Sequence, residues 1–405
     1  MLPEGWRLTN TGQECFSVVP GRNKPKEFSG SIPWITTPEI FGRYLPSYLQ
    51  KNYVSKHVIK EAGAKIVPEG SVVISAVGEL GLVAIATQEV TLNQQLHAFI
   101  CKEGIYNEFL AYSIETQKPF MERVASKTTI LYLNKANCES IPILLPPLPE
   151  QKKIAAILST WDRAIEVTEK LLANSQQQKK ALMQQLLAGK KRLPGFTGEW
   201  KVARLSDLGE ISSAGVDKKS FESEAPVRLL NFKDVFSRTF IRSNDLNHWV
   251  TAPASKVIKC NVIAGDVFFT PSSETRGEIA LSAVASEDIP NCCYSYHVVR
   301  FRMREVWDLA YKAFAFSTAS FRKAACELSD GSGQRYVLSQ DNFRSIEVSY
   351  PPYEEQKEIG AILVNSEREI ALLKSDLSRL RQEKKALMQQ LLTGKRRVKI
   401  EADAG

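Results

Sequence analysis

The sequence predicts an α+β protein with two globular domains, each mixed α/β and β-rich, and two long helices that form a coiled coil. The nine residues from Lys179 to Leu187 recur unchanged from Lys384 to Leu392. Around them, a gapless comparison at an offset of 205 residues pairs 146–192 with 351–397, and 25 of the 47 positions are identical. Solenoid repeats span roughly 20 to 50 residues and recur many times, so this long repeat with two copies indicates a duplicated domain.

The order of elements is predicted to be the same in both domains, although the domains share little sequence identity. The first domain should contain two buried strands, a helical stretch and a closing strand, in residues 66–86, 106–124 and 141–145 of the range 1–145. The second domain should repeat this order in residues 257–285, 306–328 and 346–350 of the range 195–350. The repeated segments 146–192 and 351–397 are the helical regions, and 398–405 is a C-terminal tail.

Each repeated segment is predicted to be one long helix of about 37 residues, or roughly 55 Å. Its apolar residues recur at alternating steps of four and three, which is the 3.5-residue period of a coiled coil. The predicted seam consists of Ile154, Leu158, Trp161, Ile165, Leu172, Leu182 and Leu186 in the first helix, and of Ile359, Leu363, Ile370, Leu373, Leu377, Leu380, Leu387 and Leu391 in the second. The alternative is an amphipathic helix that lies on its own domain.

Lys179 and Lys384 occupy equivalent positions within this apolar seam. A polar seam residue costs stability but can fix the register and orientation of the two helices. Alternatively, the aliphatic stem of the lysine can carry the charge out of the seam into solvent. The sequence leaves both interpretations open.

The composition favours a polyanionic partner. There are 53 Lys and Arg against 45 Asp and Glu, which gives a net charge of +8 and a pI near 9.0. The seven cysteines are scattered, and their pattern is typical of a reducing compartment. The N-terminal residues lack the charged and apolar regions of a signal peptide, and no long apolar window is present. We therefore expect a cytoplasmic protein that does not contact a membrane.

No pattern of residues predicts catalysis or metal binding. The residues before Gly189-Lys190 and Gly394-Lys395 lack the first glycine of a phosphate-binding loop, and no Ser or Thr follows them. Tyr350-Pro351-Pro352-Tyr353 has tyrosine where an amino-methyltransferase needs Asn or Asp. The four histidines form no metal-spaced pair, and His297 is interpreted as a buried strand residue. We expect neither catalytic residues nor a metal site.

Several motifs give the chain a resemblance to a known family. Each helix opens with Pro-Pro-x-x-Glu-Gln-Lys-x-Ile and closes with Leu-Leu-x-Gly-Lys, after a divergent domain. Shorter fragments are Ile32-Pro33-Trp34-Ile35, Asn93-Gln94-Gln95 and the run from Gly331 to Leu338. Together they resemble the specificity (S) subunit of type I restriction-modification systems. The first domain departs from the pattern at residues 125–129, where it lacks the Gly-Ser-x-Gln loop.

This resemblance implies a non-enzymatic subunit with two target-recognition domains. Each domain would read one half of a bipartite, asymmetric sequence in double-stranded DNA. The helices would form an antiparallel coiled coil with pseudo-two-fold symmetry that spaces the domains. Two methyltransferase (M) subunits and two restriction (R) subunits would bind this frame and carry S-adenosylmethionine, ATP and Mg²⁺, so we expect no cofactor in this chain.

The expected DNA contacts are polar and basic residues in loops. Arg can bind guanine and Asn or Gln can bind adenine through paired hydrogen bonds, whereas Lys more often contacts phosphate. The alternative for each residue is a solvated surface side chain, and the alternative for the whole chain is a coiled-coil scaffold whose domains bind proteins. The expected contacts are Arg22, Asn23, Lys24, Lys26, Thr36, Thr37, Gln94, Gln95, Lys127 and Thr128 in the first domain, and Lys218, Lys219, Asn231, Lys233, Ser272, Ser273, Arg276, Gln334, Arg335 and Tyr336 in the second.

Overall fold

The computed structural model describes residues 2–21, 23–127, 130–332 and 334–400, and the chain divides into two compact units. The first unit comprises Met1–Thr168 and Asp376–Gly405, and the second comprises Glu169–Ser375. Each unit therefore contains one globular domain, the start of the helix that follows it and the end of the other long helix. In the described ranges, no helix combines the length and apolarity that a membrane crossing requires.

In the described part of the first unit, thirteen short strands and five short α-helices precede the long helix. The strands are β1 (Arg7–Asn10), β2 (Cys15–Val18), β3 (Ile32–Ile35), β4 (Tyr44–Leu45), β5 (Tyr53–Val54), β6 (Ile66–Val67), β7 (Val72–Ser75), β8 (Val83–Ala86), β9 (Val90–Leu92), β10 (Leu96–Cys101), β11 (Ser126–Lys127), β12 (Leu131–Tyr132) and β13 (Pro142–Leu145). The helices are α1 (Thr11–Glu14), α2 (Lys56–Ala62), α3 (Asn107–Glu115), α4 (Lys118–Val124) and α5 (Lys135–Glu139), followed by the long helix α6 (Leu148–Leu186).

The second unit has a similar composition of elements. Its strands are β14 (Lys201–Arg204), β15 (Gly209–Ser212), β16 (Ala225–Leu230), β17 (Phe240–Ile241), β18 (Trp249–Ala252), β19 (Asn261–Val262), β20 (Val267–Phe269), β21 (Ser272–Ser273), β22 (Ser282–Ala285), β23 (Ile289–Tyr294), β24 (Val299–Met303), β25 (Asp330–Ser332), β26 (Arg335–Val337) and β27 (Glu347–Tyr350). Its helices are α7 (Leu205–Leu208), α8 (Phe232–Phe236), α9 (Ala254–Lys259), α10 (Leu309–Ala315), α11 (Ala319–Glu327) and α12 (Gln340–Ser345), followed by the long helix α13 (Tyr353–Leu391).

The two domains share the strand order of their larger sheets, whereas the small sheet has two strands, β11-β12, in the first domain and three, β21-β26-β25, in the second. The five-stranded sheets have the orders β2-β10-β7-β8-β4 and β15-β24-β20-β22-β17, and the last strand of each is parallel to its neighbour. The four-stranded sheets have the orders β5-β3-β9-β6 and β18-β16-β23-β19, each with a parallel central pair. The first and closing strands also pair in both domains, β1 with β13 and β14 with β27. This pairing brings the beginning of each domain to the start of its long helix.

The clearest strand prediction is confirmed in the first domain. The two strands expected within residues 66–86 are β7 and β8, which pair antiparallel with Val73 opposite Ala84. All eight of their residues are buried. Continuous apolar runs are typical of strands that are covered on both faces. The predicted closing strands are also present, as β13 and β27.

Both predicted helical stretches are confirmed, although each is divided into two helices, and one strand prediction is wrong. The helical stretch at 106–124 is two helices, α3 and α4, because Pro119 in the first turn of α4 cannot continue a preceding helix. The stretch at 306–328 is likewise divided, and the Thr318 side chain accepts a hydrogen bond from the Phe321 amide at the start of α11. Val257 lies in α9 rather than in a strand. That helix is too short to show a helical period, and its β-branched residues favour a strand prediction.

The two long helices each span 39 residues and run antiparallel where they meet. In the first unit, Glu150 pairs with Arg397 and Asp162 pairs with Lys384. In the second unit, the Ser175 hydroxyl donates to Glu369, Lys179 pairs with Glu367 and Arg192 pairs with Glu355. The residue number rises along one helix as it falls along the other, so each set of contacts defines an antiparallel pair. The predicted antiparallel coiled coil is confirmed.

The predicted seam residues are all buried or half-buried. Those at the start of each helix, such as Ile154 and Leu158, also belong to the apolar core of the preceding domain. In the same core lie Met388 and Leu391 from the end of the other helix. The start of each helix therefore packs on its own domain and on the other helix at the same time.

The seam lysines reach across to the facing helix. The Lys384 Nζ lies 2.5 Å from Asp162 and 5.5 Å from the centre of the Tyr112 ring. The Lys179 Nζ lies 3.7 Å from Glu367 and 5.2 Å from the centre of the Phe314 ring. Both ammonium groups are therefore paired inside the frame, as the register interpretation requires, rather than carried out to solvent.

We expect the two seam lysines to contribute unequally to stability. Lys384→Gln should lower the free energy of unfolding by about 1–3 kcal/mol, because its short ion pair is largely covered. Lys179→Gln should cost about 1 kcal/mol or less, because its ion pair is longer and its partner is 36% exposed. Urea denaturation of both variants tests this order, with the exposed neighbours Lys385→Gln and Lys180→Gln as controls. Equal losses from the two seam variants would contradict it.

We also expect a histidine in β10 to make the protein acid-sensitive. His97 is 3% exposed and its Nε2 has no hydrogen-bond partner. Burial lowers the pKa of His97 to about 4, whereas the pKa in the unfolded chain is about 6.5. As the pH falls from about 6.5 to 4, the unfolded state therefore gains a proton that the folded state does not, and up to about 3 kcal/mol of stability is lost.

His97→Gln should remove this part of the pH dependence. The measurement is the free energy of unfolding by urea at several pH values between 4 and 7. His57→Gln, at an exposed position in α2, is the matched control and should retain the wild-type profile. An unchanged profile in the His97 variant would assign the acid sensitivity to other groups.

Candidate nucleic-acid interface

A cavity of about 290 Å³ lies in the first domain, and we call it the first pocket. Its lining comes from three separate segments: the loop after β2, the end of β3 and the turn between β9 and β10. The lining residues are Gly21, Asn23, Lys24, Trp34, Thr36, Asn93, Gln94 and Gln95.

The turn between β9 and β10 is held by its own amides. The Asn93 Oδ1 accepts a hydrogen bond of 3.1 Å from the Gln95 amide nitrogen, and the Asn93 Nδ2 donates to the Gln95 Oε1 at 3.2 Å. The Thr37 hydroxyl also donates to the Gln95 Oε1. These bonds fix Gln95, and the neighbouring Gln94 side chain is exposed and also lines the pocket. Gln94 is therefore a candidate for contact with a partner.

A second cavity, of about 410 Å³, lies in the second domain, and we call it the second pocket. Its lining comes from α8, from β21 and the turn that follows it, from the turn after β23 and from the start of β26. The lining residues are Phe232, Phe236, Ser272, Ser273, Glu274, Glu278, His297, Gln334 and Arg335.

Charged and aromatic groups give the second pocket a different chemistry from the first. The Arg335 Nη2 donates to the Ser272 hydroxyl at 2.9 Å, so its guanidinium is held at the wall. Glu278 accepts hydrogen bonds from the hydroxyls of Ser273 and Thr275, at 3.1 and 2.8 Å. The rings of Phe232 and Phe236 stack with centres 5.8 Å apart. The pocket therefore presents a cation, a carboxylate and an apolar surface together.

His297 contributes an uncharged ring to the second pocket. Partial burial lowers its pKa, and the positive charges of Lys218 and Arg335 lower it further. The ring is therefore neutral at neutral pH and can either donate or accept a hydrogen bond. The sequence interpretation of His297 as a buried strand residue is wrong, because it is half-buried and lies in the turn that follows β23.

Many of the residues predicted to contact DNA line the two pockets or lie next to them. Those in the lining are Asn23, Lys24, Thr36, Gln94, Gln95, Ser272, Ser273, Gln334 and Arg335. Thr37 bonds to Gln95, Lys218 lies near His297, and the Arg276 guanidinium lies 4.9 Å from the centre of the Tyr336 ring.

The other predicted contacts lie outside the pocket linings. Lys26, Lys219 and Lys233 are exposed on the surface. The Asn231 Nδ2 donates to the Leu229 carbonyl, so this amide supports the turn before α8. Lys127 lies in β11, and Arg22 and Thr128 fall outside the described residues.

The sequence did not reveal several residues of the pocket linings. Trp34 and Asn93 belong to motifs that had been noted, but neither was predicted to contact a ligand. Basic, amide and hydroxyl side chains were expected to contact DNA, so the sequence did not indicate the aromatic, acidic and histidine residues of the lining. These are Phe232, Phe236, Glu274, Glu278 and His297. The signal for Glu274 and Glu278 was their position beside Ser272, Ser273 and Arg276 in one short segment.

The two pockets have the groups needed to bind the edges of nucleic-acid bases. Amides and guanidinium groups make paired hydrogen bonds to purines, and a carboxylate can accept from the amino group of cytosine. The surrounding lysines can contact phosphates. In the described ranges, no group of three or more His, Cys, Asp or Glu residues could hold a metal ion.

Comparison with known proteins gives consistent matches. The model of the type I restriction modification DNA specificity domain matches twice, at residues 19–174 and 197–382. The type I restriction enzyme MjaVIII specificity subunit of Methanocaldococcus jannaschii is 26% identical over an alignment 428 positions long, which covers 98% of this chain and 94% of that protein. The two matches to the domain model each contain most of one globular domain and most of its helix, which supports the duplication found in the sequence.

Two solved structures have the same fold. The S subunit of the type I restriction-modification system of M. genitalium superposes with a TM-score of 0.58 at 13% identity, over 97% of this chain and 98% of that one. A chain from a structure of the assembly and conformational transition of a type I R-M system superposes with a TM-score of 0.60 at 19% identity, over 97% of this chain and 99% of that one.

Proposed function

The chain belongs to the family of type I restriction-modification DNA specificity subunits, and from this membership we propose that it reads a bipartite, asymmetric DNA sequence, with one domain on each half. Specificity subunits of this family are non-catalytic, so the chain is a recognition subunit and not an enzyme. Its target is double-stranded DNA in the cytoplasm, and the seven free cysteines fit a reducing compartment.

The observation that carries this proposal is the pair of unlike pockets on domains of like topology. The first pocket is rich in amides, with Asn93, Gln94 and Gln95. The second combines Arg335 with two glutamates and two phenylalanines. Because base edges are distinguished by their patterns of donors, acceptors and methyl groups, unlike pockets select unlike sequences. Two such readers on one chain give a target of two different halves.

The long helices supply the spacer of the proposed target. A helix of 39 residues is about 58 Å long, whereas one turn of DNA spans roughly 34–36 Å. A frame built from such helices can hold two readers more than one turn apart. The base pairs between the halves would then have a fixed number and no required sequence.

The same helices are the proposed docking frame for partner subunits. Val167 and Leu372 are equivalent under the 205-residue offset, and both are exposed, at 56% and 61%. We infer that these two apolar side chains, exposed at the same place in both copies of the helix, belong to a protein contact. Two equivalent positions support the docking of two M subunits, to which two R subunits can be added. S-adenosylmethionine, ATP and Mg²⁺ would be bound by these partners.

Single substitutions in the two pockets should affect different halves of the target. Gln94→Ala and Arg335→Ala should each reduce discrimination at a base pair in one half by about 1–3 kcal/mol, or roughly 5- to 150-fold. The measurement is selection from DNA libraries by the chain assembled with its methyltransferase partners. Lys219→Ala, an exposed residue outside the pockets, is the control and should weaken binding to all sequences alike.

The outcome of this selection separates the proposal from its alternative. If both variants relax the same half, the assignment of one domain to each half is wrong. If the wild-type assembly selects no sequence and its binding to DNA does not weaken with salt, a protein-binding scaffold is the better description.

The link between the domains should set the length of the spacer. Four residues inserted between Leu193 and Pro194 would preserve the Arg192 ion pair and the packing of Gly189 against the Trp200 ring. We expect a changed spacer length and unchanged half-sequences, measured by the same selection. An equal insertion after the exposed Gly42 should leave the spacer unchanged. An unaltered spacer in the link variant would show that this link does not set the distance.

A further inference from the structure

Two cysteines face each other across neighbouring strands of the first domain. Cys15 is the first residue of β2, Cys101 is the last residue of β10, and the two are directly opposite in the register. The next amide outward, that of Lys102, donates a 3.0 Å hydrogen bond to the Glu14 carbonyl. In an antiparallel sheet the hydrogen-bonded and non-hydrogen-bonded residue pairs alternate, so Cys15 and Cys101 form a non-hydrogen-bonded pair.

This type of pair has the spacing that a disulfide requires. The Cα atoms of a non-hydrogen-bonded pair lie about 4.5 Å apart, with the side chains close together on one face of the sheet. Disulfides are found at Cα separations of about 4.4–6.8 Å. A bond between Cys15 and Cys101 therefore needs no movement of the backbone beyond ordinary adjustment.

The two thiols differ in their exposure to solvent. Cys15 is 3% exposed in the apolar core, whereas Cys101 is half-buried at the edge of the same core. The neighbouring Cys15 thiol lowers the pKa of Cys101, which favours a thiolate at Cys101. An oxidant thus reaches Cys101 first, and Cys15 lies behind it.

The second domain has no such pair at the equivalent place. There the first residue of β15, Gly209, lies opposite the last residue of β24, Met303. In the strand pairs that the structure describes, no other cysteine lies directly opposite a second cysteine. A disulfide can therefore form at this position in the first domain and not at the equivalent position in the second.

We propose that Cys15 and Cys101 form a redox-active dithiol that a peroxide converts into a disulfide. In the first step the Cys101 thiolate attacks one peroxide oxygen, an S–O bond forms, the O–O bond breaks and the departing oxygen leaves as water after protonation. In the second step the Cys15 sulfur attacks the Cys101 sulfenic acid, the S–S bond forms and a second water leaves with the Cys15 proton. The two thiols lose two electrons to the peroxide, and a thiol reductant reverses the reaction.

The disulfide would join the two strands that lead to the first pocket. β2 continues into the segment of Gly21, Asn23 and Lys24, and β10 begins directly after Gln95. The bond would lie at the ends of these strands that are remote from the pocket, so its direct restraint acts on the strand pair. This inference concerns the thiols and the strands, and it does not depend on the proposed reading of DNA.

The test is oxidation of the full chain with hydrogen peroxide, followed by alkylation of free thiols, proteolysis and mass spectrometry. We expect a linked peptide containing Cys15 and Cys101, two hydrogens lighter than the reduced peptides and lost after dithiothreitol. Cys101→Ser should abolish it, whereas Cys326→Ser, which removes a half-buried cysteine of the second unit, should not. Amide hydrogen exchange should slow in residues 15–18 and 96–101 of the oxidised chain, with no change in 209–212.

The experiment can also overturn the proposal without relying on a variant. If the wild-type chain oxidises at Cys326 while Cys15 and Cys101 remain free for alkylation, the pair is not a redox-active dithiol. The same conclusion follows if Cys101 stops at a sulfenic or sulfinic acid in the folded chain.

Discussion

The frame depends on a buried carboxylate at the start of each long helix. Glu150 and Glu355 are fully buried, and each is bound by an arginine from the segment that follows the other helix, Arg397 or Arg192. A buried carboxylate without a counter-charge is strongly unfavourable, so the antiparallel register in each unit must bring the arginine to this point. The ring nitrogens of Trp6 and Trp200 donate to the same carboxylates. Each unit therefore joins the beginning of its domain, the start of one helix and the end of the other at one site.

This arrangement separates the frame from the surfaces that differ between the domains. The buried residues of the sheets and helix seams preserve the strand order of the four- and five-stranded sheets in both domains. The pocket residues lie mainly in turns and at the ends of strands, where substitutions change surface chemistry without altering the core. One architecture can thus carry an amide-rich pocket in one domain and a charged, aromatic pocket in the other.

Much of the fold could be predicted because it depends on local periodicity. The repeat, the heptads and the apolar runs of β7 and β8 are visible within short windows of sequence. The pairs Glu150 with Arg397 and Cys15 with Cys101 could not be predicted, because their residues are far apart in the chain and depend on the strand and helix register. His297 was misinterpreted because its neighbours in sequence are apolar, whereas its neighbours in space are Lys218 and Arg335. The sequence indicated some of the residues that line the pockets. Loop position and polarity predict which residues are exposed, but they do not predict which exposed residues lie together in space.

The central claim is that one chain reads two unlike halves across a fixed gap. The most direct measurement is genome-wide mapping of methylated bases in cells that produce this chain together with its methyltransferase partners. We predict a single target made of two short, different blocks separated by a constant number of unread base pairs, and methylation that is lost when the chain is absent. A contiguous target, a gap of variable length or a pattern that persists without the chain would contradict the account.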